Sequence, residues 1–126
     1  MRAFLKNYRQ SPRKVRLVAD LIRLKDVKTA RSLLATVPKR AALPVQKLLD
    51  SAVANAKQNN NSEENLFVKE VRVDAGPVLK RMMPRARGSA YEIRKRTSRI
   101  SIVLGERVKP AKTATLKSPQ KLNAKR

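Results

Sequence analysis

The feature that most constrains the fold is an arginine-rich segment, residues 76–99, that cannot form a core of its own. It lies between two plausible strands, residues 71–73 and 100–104. It contains eight basic residues and one acidic residue, Glu92. Because connections in compact domains usually run to a handful of residues, a connection this long is normally either functional or disordered.

Two interpretations of this segment are open. Either it is disordered until a partner binds, as arginine-rich segments often are, or it is an extended β-hairpin. The hairpin interpretation rests on residues 84–88, since Pro84 fixes φ and Gly88 permits the positive φ of a turn. An arm of about eleven residues at ~3.3 Å each reaches roughly 35 Å. Since isolated two-stranded ribbons are marginal in water, we expect such a hairpin to be surrounded by a polyanion.

The charge of the chain is large and unevenly distributed. The formal net charge is +22, from 31 Lys and Arg against 9 Asp and Glu. Residues 1–40 carry 12 basic and 2 acidic side chains, residues 41–78 carry 4 and 5, and residues 79–126 carry 15 and 2. This pattern predicts a small, nearly neutral core whose outer parts face a polyanion that offsets their mutual repulsion. Nucleic acid is the first candidate and an anionic membrane surface is the second.

The residue inventory argues against an enzyme. The chain has no cysteine and no histidine, which removes disulfides, thiolate metal sites and the commonest general base. Glu63 and Glu64 adjoin a polar turn and are expected to be solvated, and Asp74 has no second acid with which to form a cluster. Three glycines are too few for a phosphate-binding loop. We therefore expect no catalysis, no cofactor and no metal.

The sequence also lacks the features of membrane insertion and secretion. No apolar run approaches the ~20 residues of a membrane span, and the N-terminus has no apolar region of the signal-peptide kind. The most amphipathic predicted helix, residues 45–56, lies in the nearly neutral part of the chain, contrary to what binding to anionic lipid favours. We expect a soluble intracellular protein.

Three helices are predicted in the first half of the chain. The first begins with Ser11 as its N-cap and Pro12 at its first position. The second begins with Asp26 as its N-cap, and the third spans residues 39–60, with Pro44 either in its first turn or at a kink. The first helix has apolar residues at the i, i+3, i+4, i+7 spacing of a buried stripe, the second has apolar residues along one side, and the third keeps the 3.6-residue period for three turns. The residues predicted to be buried are Val15, Val18, Ala19 and Ile22 in the first helix, Val27, Ala30, Leu34 and Val37 in the second, and Val45, Leu48, Leu49, Ala52, Val53 and Ala56 in the third.

Strands are predicted at residues 2–9, as an edge strand, and at residues 66–74 and 100–104. The order strand, three helices, strand, hairpin, strand predicts an α+β fold, with three helices packed on a small three-stranded antiparallel sheet and a long protruding β-hairpin. We expect one domain over residues 1–110, which includes the hairpin at 76–99. Residues 111–126 are expected to form a basic, flexible tail.

The kind of nucleic acid can be narrowed from the side chains. Only four residues are aromatic, so a stacking platform for single strands is not expected. Arginine forks that match phosphate oxygens are abundant, which favours recognition of the backbone and shape of folded RNA over base readout. Non-specific DNA condensation remains the alternative, because counterion release does not distinguish polymers.

Four blocks of sequence carry a resemblance to a known family. They are SPRKVRLVADLIR at 11–23, KLLDSAVANAKQN at 47–59, VDAGPVLKRMMPRARGSA at 73–90 and KRTSRISIVL at 95–104. Together they resemble the bacterial form of ribosomal protein twenty-two of the large subunit, from about residue 2 to residue 104. Departures include Leu24, where the family often has glycine, Arg99, where histidine is common, and Ser89, Tyr91 and Glu92, which replace a more basic arm.

The resemblance implies a structural constituent of the large ribosomal subunit in the cytoplasm. Such a protein binds large-subunit ribosomal RNA (rRNA), supports subunit assembly and lines the nascent-peptide exit tunnel with its hairpin. The implied partners are rRNA, neighbouring large-subunit proteins and the nascent polypeptide, with no membrane and no homo-oligomer.

The residues expected to contact RNA or the tunnel follow from the basic clusters and from the family motifs. Those expected to bind rRNA are Arg9, Arg13, Lys14, Arg16, Lys80, Arg81, Arg85, Arg87, Arg94, Lys95, Arg96 and Arg99. Those expected to form the tunnel-lining hairpin tip are Met82, Met83, Pro84, Arg85, Ala86, Arg87, Gly88 and Ser89. For the basic face of the first helix, simple solvation is the competing interpretation.

Overall fold

The computed structural model describes residues 1–59 and 61–107 of the chain, and it has the predicted α+β architecture. The helices and strands, in chain order, are β1 (Arg2–Tyr8), α1 (Pro12–Ile22), α2 (Val27–Thr36), α3 (Ala42–Gln58), β2 (Leu66–Pro84) and β3 (Ala90–Glu106), with short 3₁₀ turns at Glu63–Asn65 and Ala86–Gly88. The domain limit at residue 110 and the tail at 111–126 were predicted for a part of the chain outside the described residues.

The three strands form one antiparallel sheet in the order β1-β3-β2. β1 pairs with β3 only from Arg2↔Val103 to Tyr8↔Ser98. β2 pairs with β3 over its whole length, from Leu66↔Glu106 to Pro84↔Ala90. Beyond the reach of β1 the sheet therefore continues as a two-stranded ribbon, residues 78–96, in which every described residue is exposed or half-buried.

The helices pack on one face of the sheet through the predicted apolar stripes. Every residue predicted to be buried in the three helices is buried except Val37, which is the half-buried C-cap of α2. The sheet contributes a matching row of buried side chains to the same core, namely Leu66, Val68, Val71, Val73, Ile100, Ile102 and Leu104. At roughly 1.5–3 kcal/mol for each fully buried large side chain, this core is the main source of the domain's stability.

Three details of the helix ends differ from the predictions. Ser11 and Asp26 occupy the predicted N-cap positions, but neither makes a side-chain capping bond with the described residues, so the predicted capping interaction is wrong. The Asp26 carboxylate instead lies 3.2 Å from the guanidinium of Arg107. α3 begins at Ala42 rather than at residue 39, because residues 37–42 form turns, and Pro44 sits in its first turn without a kink.

Helix α1 and the segment after it cover the edge of β2 that faces away from β3. Arg16 donates to the carbonyl oxygen of Val73 (3.1 Å) and Arg23 to that of Val71 (3.4 Å). The backbone of Leu24 and Lys25 then bonds to Val68 in both directions (3.0 and 2.9 Å). An exposed strand edge is a template for unwanted pairing, and these bonds occupy it.

Candidate nucleic-acid interface

The ribbon is fixed to the domain by two buried polar side chains at its base. The Thr97 hydroxyl donates to the carbonyl oxygen of Pro77 (2.6 Å), and the Ser98 hydroxyl donates to that of Gln10 (2.5 Å). Gly76 is required here by close approach, because a Cβ atom at this position would overlap the Thr97 hydroxyl. The sequence reasoning did not identify Thr97 and Ser98, since two hydroxyl residues between arginines carry no signal of burial.

A β-bulge separates the ribbon from the rest of the sheet. Ala75 pairs with Ser98 and Val78 pairs with Arg96. Between these two pairs β2 has two residues and β3 has one, so β2 carries one extra residue. Such a bulge increases the local twist and re-aims the strands that follow it. Pro77, which has no N–H to donate, lies inside the bulge, where a ladder bond is already missing.

The ribbon ends in the turn that the sequence predicted. Gly88 has a φ of 69°, as expected for its place in the turn, and Arg87 is also in the left-handed region, at 58°. Arg85 N–H donates to the carbonyl oxygen of Ser89 (2.8 Å), and the Ser89 hydroxyl donates to that of Ala86 (2.8 Å). The tip is thus closed by its own hydrogen bonds, and its described side chains are exposed.

Cross-strand register divides the ribbon into two faces, because directly paired residues project to the same side. The Glu92 face consists of Val78, Lys80, Met82, Glu92, Arg94 and Arg96; the Tyr91 face consists of Leu79, Arg81, Met83, Tyr91, Ile93 and Lys95. On the Glu92 face, the carboxylate lies 3.3 Å from Lys80 Nζ and 3.3 Å from Arg94 Nε. The six residues of the Tyr91 face include two cations and no acid.

A basic cleft of about 730 Å³ lies between the base of the ribbon and the start of α1. The side chains that line it are Arg9, Gln10, Ser11, Lys14, Arg40, Leu79, Arg81, Arg94, Lys95, Arg96 and Thr97. Seven of these described lining residues are cations and none is an acid. Like charges held together in a concavity raise the local potential, which favours the binding of a polyanion.

The cleft brings together half of the residues that were predicted to bind rRNA. These are Arg9, Lys14, Arg81, Arg94, Lys95 and Arg96. It also contains Arg40, which the sequence reasoning missed. The carbonyl oxygen of Arg40 accepts a bond from the Tyr8 hydroxyl (3.3 Å), which ties this loop to the end of β1. Only the folded arrangement of β1, the loop before α3 and the ribbon shows that Arg40 belongs to the cluster.

The other predicted RNA-binding residues lie elsewhere. Arg13 is on the exposed side of α1, and Arg16 uses its guanidinium for the bond to β2 described above. Lys80 pairs with Glu92, and Arg85 and Arg87 are at the tip. Arg99 lines a separate, smaller cleft on the sheet, together with Phe4, Lys6, Arg72 and Asp74.

Several acids of the domain form ion pairs with cations outside the basic cleft. The carboxylate of Glu63 lies 2.9 Å from Lys57 Nζ and 2.8 Å from Arg31 Nη1. The hydrogen bond from Lys57, followed by that from Arg31, holds the pKa of Glu63 below its usual value. The hydrogen bond to Asp50 is the largest influence that raises the pKa of Arg31. Glu64 is exposed, as predicted, but Glu63 is half-buried in ion pairs rather than solvated.

Within residues 1–59 and 61–107, no group of three or more acids is placed to hold a metal ion. Among the helices that the structure describes, none combines the length and the apolar character needed to cross a membrane.

A small α+β domain with a concave cluster of cations and a long basic ribbon is typical of proteins that bind folded nucleic acid. Comparison with known families agrees: the model of the family "Ribosomal protein L22p/L17e" matches residues 3–105. The chain therefore belongs to the ribosomal protein L22 family. It is a structural, non-enzymatic ribosomal protein, located in the cytoplasm with the large subunit.

Three relatives illustrate the extent of the match, and each is named "Large ribosomal subunit protein uL22". The Deinococcus radiodurans protein is 57% identical over 106 residues, covering 83% of this chain and 79% of the relative. The Acholeplasma laidlawii protein is 53% identical over 107 residues, covering 84% and 96%. The Thermus thermophilus protein is 52% identical over 107 residues, covering 84% and 95%. These matches favour a ribosomal role over the DNA-condensing alternative.

Proposed function

We propose that this protein binds large-subunit rRNA through the basic cleft and the ribbon, supports assembly of the subunit, and lines the nascent-peptide exit tunnel with the hairpin tip, residues 82–89. It acts as a single copy beside neighbouring large-subunit proteins. The observation that carries the proposal is the cleft itself, in which seven cations from three separate parts of the chain converge.

The shape of the cleft favours folded RNA as its ligand. Its walls are the α1 start and the ribbon base, so a bound backbone contacts both the domain and the arm at once. Guanidinium groups form forked bonds with phosphate oxygens, which fix position without reading sequence. A folded RNA presents phosphates from several directions, and a concave cluster of cations can bind them together.

In this proposal the hairpin tip lines the tunnel and does not anchor the protein in the subunit. Its side chains are exposed, and the core cluster includes none of them. The turn is closed by hydrogen bonds among its own residues rather than by bonds to the domain. Its exposed methionines and arginines are therefore available to a peptide or RNA that surrounds the end of the ribbon.

The contribution of the cleft can be tested with two charge-matched double variants. Lys14→Ala with Lys95→Ala removes two cations from the cleft, whereas Lys25→Ala with Lys69→Ala removes two exposed lysines outside it. We expect only the first pair to weaken binding to a large-subunit rRNA transcript. It should also reduce the slope of log affinity against log salt by about 1.5, as expected for two lost phosphate contacts. Equal effects of both pairs would mean that net charge alone drives binding.

A further inference from the structure

The Tyr91 face of the ribbon has a composition that backbone binding alone does not explain. Besides Arg81 and Lys95, it presents Tyr91, Met83, Leu79 and Ile93 along an arm that has no core of its own. Tyr91 is 63% exposed and Met83 is 39% exposed. Exposed apolar side chains grouped among cations are typical of a contact surface.

The register places the groups of this face at defined spacings. Met83 lies directly across from Tyr91, and Arg81 lies directly across from Ile93. The two pairs are separated by two residues along each strand, about 7 Å. An aromatic ring with an apolar neighbour beside it therefore stands one step from a guanidinium on the same side of the ribbon.

An unpaired nucleotide is the ligand whose chemistry uses both groups. Its base is a flat π surface that stacks on an aromatic ring, and its phosphate binds an arginine fork. The one acid of the ribbon, Glu92, does not lie on the Tyr91 face. It projects from the opposite face, where it pairs with Lys80 and Arg94. A peptide ligand would use the apolar residues but has no requirement for two cations with no acid among them.

We infer that the Tyr91 face binds an unpaired nucleobase of the rRNA, with the Tyr91 ring stacked on the base and Arg81 on an adjacent phosphate. The inference rests on the proposed RNA-binding function and adds one base contact to it. A single aromatic residue suffices to stack on a single base. This role is narrower than a stacking platform for single strands, which is not expected because the chain has only four aromatic residues.

The first test measures affinity for a large-subunit rRNA transcript, using the full chain. Tyr91→Leu should weaken binding about 5- to 150-fold, the range expected for loss of one base–aromatic stack, and Tyr91→Phe should bind within about twofold of wild type. Phe4→Leu is the matched control, because Phe4 is also 63% exposed but lies on β1 rather than on the ribbon. It should leave the affinity unchanged.

The second test reports on the ring itself. The chain has two tyrosines and no tryptophan, so Tyr8→Phe leaves Tyr91 as the single tyrosine fluorophore. Stacking on a base quenches tyrosine emission, so we expect quenching that saturates as the rRNA transcript is added. Long-chain inorganic polyphosphate, which has phosphates but no bases, should bind without quenching.

The outcomes separate this inference from the proposed function. If wild type fails to bind the transcript, the proposed function itself is wrong. If wild type binds and Tyr91→Leu binds equally well, only the base contact is wrong. If Tyr91→Leu leaves the affinity for the transcript unchanged but alters crosslinking of the ribbon to nascent peptide, the Tyr91 face binds the peptide and the inference is wrong. Equal quenching by polyphosphate and by the transcript would also overturn the inference.

Discussion

The globular domain and the ribbon use the same residue type for different purposes. In the domain, three arginines outside the basic cleft are bound to the protein: Arg16 and Arg23 donate to carbonyl oxygens of β2, and Arg31 pairs with Asp50 and Glu63. In the ribbon, the one acid is Glu92, which leaves most of the cations directed at the surroundings. Arginine content alone therefore does not identify an interface, because the number of acids nearby also decides how many cations remain available to a partner.

The two regions also differ in what holds them together. The domain has a core with side chains from all three helices and from the sheet, whereas the ribbon has cross-strand pairing and no buried residue among the described positions 78–96. An isolated ribbon is marginal in water. We therefore expect core substitutions to act on folding and ribbon substitutions to act on binding.

The largest effect is expected from an unpaired charge in the core. Leu49→Asp places a carboxylate where Leu49 is fully buried, which costs several kcal/mol, so the domain should fail to fold. Leu43→Asp is the control on the same helix, because Leu43 is 61% exposed. Circular dichroism with thermal unfolding distinguishes the two, and a folded Leu49→Asp variant would show that the core is assigned wrongly.

The joint between the two regions should be the next most sensitive position. Gly76→Ala brings a Cβ atom into the Thr97 hydroxyl, and we expect a loss of about 1–3 kcal/mol in the free energy of unfolding. In Gly76→Ala combined with Thr97→Ala, the clash is removed, so the double variant should lose less stability than the sum of the two single variants. Strict additivity in denaturant unfolding would show that the two residues do not interact.

The ion pairs of the domain predict a specific dependence on pH. Because the pKa of Glu63 is lowered in the folded state, its contribution is present above the unfolded pKa and is lost as the pH falls through the folded pKa. Glu63→Gln should destabilise the protein by about 1 kcal/mol at pH 7 and progressively less in acid. Glu64→Gln, at an exposed neighbouring position, should have little effect on stability at pH 7 or in acid. Urea unfolding at several pH values checks this, and a constant difference would exclude the linkage.

The smallest effect is expected at the turn after α1, where the substitution should be stabilising. Lys25 N–H donates to the carbonyl oxygen of Ile22 (3.3 Å), and Leu24 between them has a φ of 60°, a conformation that favours glycine. Leu24→Gly should raise the free energy of unfolding by about 0.5–1 kcal/mol. Leu24→Ala keeps the strain and should leave stability unchanged, so a gain in both variants would point to the side chain instead.

The sequence predicted those features that depend on local periodicity and turn chemistry. The stripes of α1 and α3 and the turn at Gly88 are of this kind, since spacing and permitted φ determine them. It could not predict the two faces of the ribbon, because the bulge between Ala75 and Val78 shifts the register by one residue. A one-residue shift exchanges the faces of a strand. Arg40 was missed for a related reason, as its place in the cleft depends on where the ribbon leaves the sheet.

The separation of folding and tunnel roles is the central claim, and incorporation into large subunits tests it most directly. Deletion of residues 82–89 removes only exposed residues. Residues 90–92 then form a three-residue loop between the paired Arg81 and Ile93, which is a common length for a hairpin loop. Tagged forms of wild type, the tip deletion and Leu49→Asp would be expressed side by side and quantified in purified large subunits. We predict that the tip deletion is incorporated like wild type and alters nascent-chain passage, while Leu49→Asp is absent. If the tip deletion is excluded as completely as Leu49→Asp, the hairpin tip is an assembly anchor and the division between the two regions is wrong.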